Sequence, residues 1–293
     1  TTGVINLNLG DGNNVINLDD AAGISTRVVT TGGGDDTLTF TDSLDDAKDV
    51  LTWTAGAGTD TFYIKGAAGS TLTSAVTLTG VEAIQITKDQ TATVFSDLVS
   101  GGTYVVKADG TTAGTTSVFA VKGKATTSTI DLSALAIDQT ITSAINKVTI
   151  DASANTTTNQ TIKGTAIADT ITGGDKNDTI TAGNGIDTII GSTGDDSIDL
   201  TETTANQVQD IVRLLAATNG KDTITGFKTG TDDLSFAAAS TTIATPAGAS
   251  VHAAISGALF TAAGASTLGP GAGRNTSSTG DALELTTTLS SHG

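Results

Sequence analysis

Between residues 168 and 200 the chain reads ADTITGGDKNDTITAGNGIDTIIGSTGDDSIDL, and two series in it share one step. Aspartate falls at Asp169, Asp178, Asp187 and Asp196, and isoleucine at Ile171, Ile180, Ile189 and Ile198, each nine residues apart. A nine-residue unit cannot bury an apolar face alone, so such a chain must stack its units. If two units complete one coil, residues eighteen apart share a flank. Asp169 and Asp187 then line one side, and Asp178 and Asp196 the other.

The four units are GTAIADTIT (164–172), GGDKNDTIT (173–181), AGNGIDTII (182–190) and GSTGDDSID (191–199), with glycine early, aspartate sixth and an apolar residue eighth. Glycine takes positive φ without a Cβ clash, so Gly173, Gly183, Gly185 and Gly194 permit tight bends that can turn carbonyls inward. The sixth-place carboxylate, with Asp175 and Asp195 beside it, adds charged oxygens. Calcium takes roughly six to eight oxygens, a set that carbonyls plus carboxylates supply. Several Ca2+ ions are therefore the expected cofactor. The Thr-Ile pair that follows predicts a very short strand, isoleucine inward and its neighbours outward.

Outlying copies extend the pattern. LGDGNNVIN (9–17) places Asn14 sixth, TGGGDDTLT (31–39) carries Gly32, Gly34, Asp35 and Asp36, and AGAGTDTFY (55–63) carries Gly56, Gly58 and Asp60. Their sixth places are 22 and then 24 residues apart, which predicts a solenoid with insertions such as TDSLDDAKDV (41–50), readable as a short helical loop. ATNGKDTIT (217–225) adds Asp222 and runs into GFKTGTDDLSF (226–236), with Asp232 and Asp233. An isolated copy also reads as an ordinary turn between strands.

These nonapeptides resemble the GGxGxDxUx motif of the RTX (repeats-in-toxin) proteins. The resemblance implies an all-β fold, a parallel β-roll or right-handed β-solenoid with calcium-binding turns. Ile167 and Lys176 depart from the motif by standing at its fourth position, where glycine is expected. The segment 226–236 is similar to the one that closes many RTX arrays, and RTX proteins carry a C-terminal export signal; the tail 241–293 fits its position, but the ending LELTTTLSSHG departs from the pattern by lacking the terminal apolar cluster. Threonine-rich strands such as LTGVEAIQIT (78–87) resemble those of RTX-bearing surface-layer (S-layer) proteins of Gram-negative bacteria. Four parts follow: an N-terminal RTX-like roll with insertions over 1–65, a threonine-rich region of solenoid coils or plain sheet over 66–163, a second roll over 164–240, and the Ala/Gly/Ser/Thr-rich tail.

Composition agrees with that reading. Threonine supplies roughly a fifth of the chain and aromatics 3%, which favours strands and a thin core not built on large rings. The formal charge of −17 argues against nucleic-acid or anionic-membrane partners and for cations. There is no cysteine for a disulfide or thiolate zinc site, and no apolar run long enough for a membrane helix. The chain holds no methionine, so a piece of a longer or processed protein is expected. Within 66–163, residues 76–87, 128–137 and 144–152 alternate apolar and polar, and 90–102 reads as a short helix ending at Gly101. Residues 208–215 read as strand in preference to helix. Lys122, Lys124 and Lys147 read as solvated strand faces.

No HExxH, GxSxG, dinucleotide or P-loop pattern occurs, and neither His252 nor His292 has a partner at metal spacing. A non-catalytic role is expected: a secreted, calcium-dependent protein that assembles with copies of itself into a two-dimensional surface lattice. A cell-surface polysaccharide is a further candidate partner. The alternatives are the export and folding module of a secreted hydrolase, and a calcium-stabilised adhesin.

Overall fold

The computed structural model describes residues 3–18, 24–40, 50–65, 70–72, 75–110, 116–140, 145–202, 208–214, 220–228, 231–236, 275–276 and 282–285. The helical loop expected at 41–50, both histidines and most of the tail lie outside them. Short strands dominate because Thr, Val and Ile alternate over three to seven residues and then meet a glycine-rich turn. Among the described residues the one helix is Ser96–Val99, followed by Gly101 at φ +72°, as the sequence predicts. Of the stretch 208–215, read as strand, Ile211–Leu214 is strand, 208–210 are not, and 215 lies outside the described residues.

The chain divides into two compact units, residues 1–122 with 132–149, and residues 123–131 with 150–293. In the first, strands Gly3–Asn8, Ile24–Thr30, Val50–Thr54 and Ala75–Thr79 form one parallel sheet. Strands Val15–Leu18, Thr37–Phe40, Thr61–Ile64, Ala83–Ile86, Val105–Ala108 and Ala136–Ile137 form a second. Its register stacks Ile16, Leu38, Phe62, Ile84 and Val106 in one column. Successive coils along the sequence thus pair in parallel, which is the architecture of a β-solenoid. The alternating segments between residues 75 and 108 belong to these coils and not to an antiparallel sandwich.

The second unit repeats the scheme with shorter strands. Thr129–Asp131, Thr161–Lys163, Thr179–Thr181, Ser197–Asp199 and Thr223–Thr225 stack in parallel, and so do Asp169–Thr172, Thr188–Ile190, Ile211–Leu214 and Asp233–Phe236. Residues Ile130, Ile162, Ile180, Ile198 and Ile224 make one buried column, and Ile171, Ile189, Val212 and Leu234 the other. The strands containing Thr161, Thr179 and Ser197 are separated by the eighteen-residue step that the nine-residue clock predicts.

The expectation of a core without large rings is corrected in the first unit. Trp53, Phe40, Phe62 and Phe119 are fully buried there. A low chain-wide aromatic content hid this concentration, because these four of the few rings are placed in one core. Close coil stacking also limits the turns: a Cβ on Gly56 would collide with the carbonyl of Gly32 one coil earlier.

The alternation carries a testable asymmetry within one strand. Ile180→Ala removes a fully buried member of the isoleucine column and is expected to cost about 2–5 kcal/mol. Thr179→Ala, on the exposed face next to it, is expected to stay within about 0.5 kcal/mol. Denaturant unfolding in saturating calcium compares the two.

Candidate metal centre

Many of the short strands begin at or just after an aspartate, as at Thr37, Thr61, Asp169, Thr179, Thr188, Ser197, Thr223 and Asp233, and those aspartates form ladders that tie coil to coil. On one flank of the second unit the Asp169 N–H donates to Asp187 Oδ1 (2.8 Å), Asp187 N–H to Asp210 Oδ1 (2.9 Å), and Asp210 N–H to Asp232 Oδ1 (3.0 Å). On the other, Gln160 N–H donates to Asp178 Oδ1 (2.7 Å), Asp178 N–H to Asp196 Oδ1 (2.8 Å), and Asp196 N–H to Asp222 Oδ1 (3.1 Å). The first unit has the same device. Asn14 N–H donates to Asp36 Oδ1, Asp36 N–H to Asp60 Oδ1, and Asp60 N–H to Glu82 Oε2, each at 2.8 Å. The 22- and 24-residue steps of the outlying copies are therefore whole coils with insertions.

The structure brings Asp36, Asp60, Asp169, Asp178, Asp187, Asp196, Asp222 and Asp232 into ladders, and all are buried. Asp35 and Asp195 form an outer, exposed rung by accepting from Thr59 N–H (2.9 Å) and Lys221 N–H (2.8 Å). Asp175 is exposed, and Asp233 stands aside to accept from Gln209 Nε2 (2.7 Å). Asn14 faces the ladder differently from the aspartates: its Nδ2 donates to the carbonyls of Gly10 (3.0 Å) and Gly12 (2.7 Å) and to Asp36 Oδ1 (3.0 Å). Gly34, Gly58, Gly183, Gly185 and Gly194 have positive φ, whereas Gly32, Gly56 and Gly173 are required by close approach to a neighbouring coil.

Three ladder members were missed from sequence: Glu82, Asp210 and Gln160. Insertions hide the first two from a nine-residue clock, since they follow Asp60 by 22 residues and Asp187 by 23. Gln160 was visible in principle: Gln160-Thr161-Ile162 precedes Asp178-Thr179-Ile180 by eighteen residues.

The ladders use one carboxylate oxygen each, and the second decides the electrostatics. Asp169, Asp178 and Asp232 turn theirs back on their own turn, accepting from the N–H of Thr165 (2.6 Å), Gly174 (2.7 Å) and Lys228 (2.6 Å). The Oδ2 atoms of Asp36, Asp60, Asp187 and Asp196 are buried without a partner among the described residues. Burial of a charge in this state is costly. Burial, with the charges of Asp169, Asp210 and Glu202 added, pushes Asp187 up to about 8. Burial pushes Asp169 and Asp196 up to about 7, the latter helped by Asp222, Asp178 and Asp195. It likewise raises Asp210 to about 6, and raises Asp178 and Asp60. Asp36 is the exception: burial opposes its charge, but hydrogen bonds from the Asn14 backbone, Thr31 and the Asn14 side chain bring it below the usual range.

These residues fit a hard cation. The unpartnered oxygens are buried anionic donors, and the first residue of a repeat leaves them room. A Cβ on Gly191 would collide with one of them, Asp196 Oδ2. Among the described residues no group of three or more His, Cys, Asp or Glu side chains is placed to hold a metal. The remaining donors are then the turn carbonyls, and an all-oxygen set of carbonyls and carboxylates suits calcium. Bound calcium would supply the positive charge that the paired ladders lack.

The raised pKa values set the sign of the pH dependence without calcium. Between an ordinary carboxylate pKa and about 7–8, the folded second unit holds protons at Asp169, Asp187 and Asp196 that the unfolded chain has released. Stability from this source is full below about pH 4 and is lost as pH rises through 7–8. Circular dichroism in chelator is expected to show more β structure at pH 5 than at pH 8.5. Calcium needs the deprotonated oxygens, so its apparent affinity should rise over that interval, with protons released on binding.

No curated protein and no solved structure matches the chain. A family profile does match one segment, the RTX calcium-binding nonapeptide repeat in four copies, over residues 163–198. That span holds Asp169, Asp178, Asp187 and Asp196 with the isoleucine that follows each, so both ladders of the second unit pass through it. Residues 163–198 are thus a block of RTX calcium-binding nonapeptide repeats.

Proposed function

We propose that the protein is a secreted, non-catalytic structural protein that folds on calcium after export and assembles with copies of itself into a surface layer. One observation carries the calcium coupling: Asp187 and Asp196, central rungs on opposite flanks, are buried with an oxygen that nothing among the described residues satisfies. Where calcium is scarce these rungs repel and oppose coil stacking. Where it is abundant, cation binding to the stacked state alone draws the chain into it.

The lattice role rests on coarser support. RTX repeats and a β-solenoid fit a calcium-binding structural or secreted protein. The threonine-rich strands that resemble those of surface-layer proteins stack in parallel coils, and the −17 charge leaves acidic edges that external calcium could bridge between copies. A second reading, a calcium-stabilised adhesin, draws on one feature. Thr129, Thr161, Thr179, Ser197 and Thr223 stack in register on one sheet and give a regular column of hydroxyls.

Negative-stain electron microscopy separates the two. Ordered sheets that form in millimolar calcium and dissolve in chelator are expected for the surface-layer role. Discrete particles in both conditions would contradict it and favour the adhesin.

A further inference from the structure

We propose that the two units differ in their need for calcium: the first holds its coils without the cation, and the second becomes ordered only with it. The proposal rests on the calcium reading above and adds where in the chain calcium acts.

The second unit has a carboxylate ladder on each flank. Asp169, Asp187, Asp210 and Asp232 make one, and Asp178, Asp196 and Asp222 the other, all buried. Against that charge stands a thin core, with one Ile, Val or Leu at the centre of each short strand. Its one buried aromatic among the described residues is Phe227. Apolar burial is the main favourable term in stacking, so this unit has the least to set against unneutralised, desolvated carboxylates.

The first unit differs in each respect. Trp53, Phe40, Phe62 and Phe119 are fully buried, and apolar residues fill two places in strands such as Thr61–Ile64 and Ala83–Ile86. Among the described residues its buried ladder carboxylates are Asp36 and Asp60, with an amide at the head and the exposed Glu82 at the far end; Asp35 and Asp109 accept coil-to-coil N–H bonds without being buried. The Asn14 Nδ2 reaches the Gly10 and Gly12 carbonyls and Asp36 Oδ1 at 2.7–3.0 Å, so a neutral donor gathers oxygens that a cation would otherwise draw together. Further along, two acceptors are neutral, while the carboxylates nearby, Asp89 and Asp109, are not buried. Asp89 N–H donates to Ser117 Oγ (3.0 Å), and Ser117 N–H donates to Asn146 Oδ1 (2.8 Å). A hydroxyl and an amide thus accept the coil-to-coil hydrogen bond that aspartate accepts in the second unit, without a charge to neutralise.

Hydrogen–deuterium exchange of the full chain, read peptide by peptide in chelator and in millimolar calcium, tests this. Amides in Thr61–Ile64, Thr91–Phe95 and Val118–Lys122 are expected to exchange slowly in both conditions. Amides in Thr161–Lys163, Thr179–Thr181, Thr188–Ile190 and Ser197–Asp199 are expected to slow on calcium addition by about 100-fold or more, as local order is gained. The double variant Asp187→Ala, Asp196→Ala should lose the calcium-induced protection in the second unit and keep the protection of the first. Protection that appears in both units together on adding calcium would overturn the proposal and leave the calcium reading standing. Protection unchanged by calcium throughout the chain would overturn both.

Discussion

The hydrogen bond from a rung's backbone N–H to the carboxylate one coil further on is what the rest of the structure depends on. A β-solenoid coil pairs its strands through the backbone ladder, but the strands that carry the rungs of the second unit are only three or four residues long. The turns between them would otherwise leave backbone donors buried and unpaired. Asp187 Oδ1 and Asp196 Oδ1 satisfy those donors and fix the distance between coils at the same atom. With register set there, each isoleucine meets the isoleucine above it, and a core one side chain wide becomes sufficient.

That arrangement carries its own electrostatic opposition. Stacking the accepting groups also stacks their charges, and the second oxygens of Asp187 and Asp196 are left buried without a partner among the described residues. A protonated carboxylic acid relieves this at low pH, and a bound cation would relieve it at neutral pH. Neutral residues relieve it elsewhere, as Ser117 and Asn146 do in the first unit. The same coil geometry is thus served by groups of different charge, and the charge decides which coils respond to their surroundings.

The sequence made the second unit largely legible because there the spacing is strict. An aspartate and an isoleucine held at nine residues predict two flanks, inward isoleucines and eighteen-residue coils, and Asp169, Asp178, Asp187 and Asp196 stand where that spacing puts them. Legibility fell wherever an insertion lengthened a coil. Glu82 and Asp210 continue ladders from 22 and 23 residues away, and no fixed period reaches them. The role of Asn14 as a donor was illegible for a different reason: asparagine and aspartate share a shape, and only the surrounding carbonyls show which end of the amide is used. The buried rings were missed because composition averages over the chain, while Trp53, Phe40, Phe62 and Phe119 are concentrated in one unit.

The central claim is that the carboxylate ladders hold calcium, and counting ions tests it most directly. The full chain is dialysed to equilibrium at neutral pH in millimolar calcium, and the bound metal is measured by atomic emission. The account predicts several ions per chain and fewer in Asp187→Ala and in Asp196→Ala, with the largest loss when both are changed. Less than one ion per chain, or a count that neither substitution alters, would contradict it.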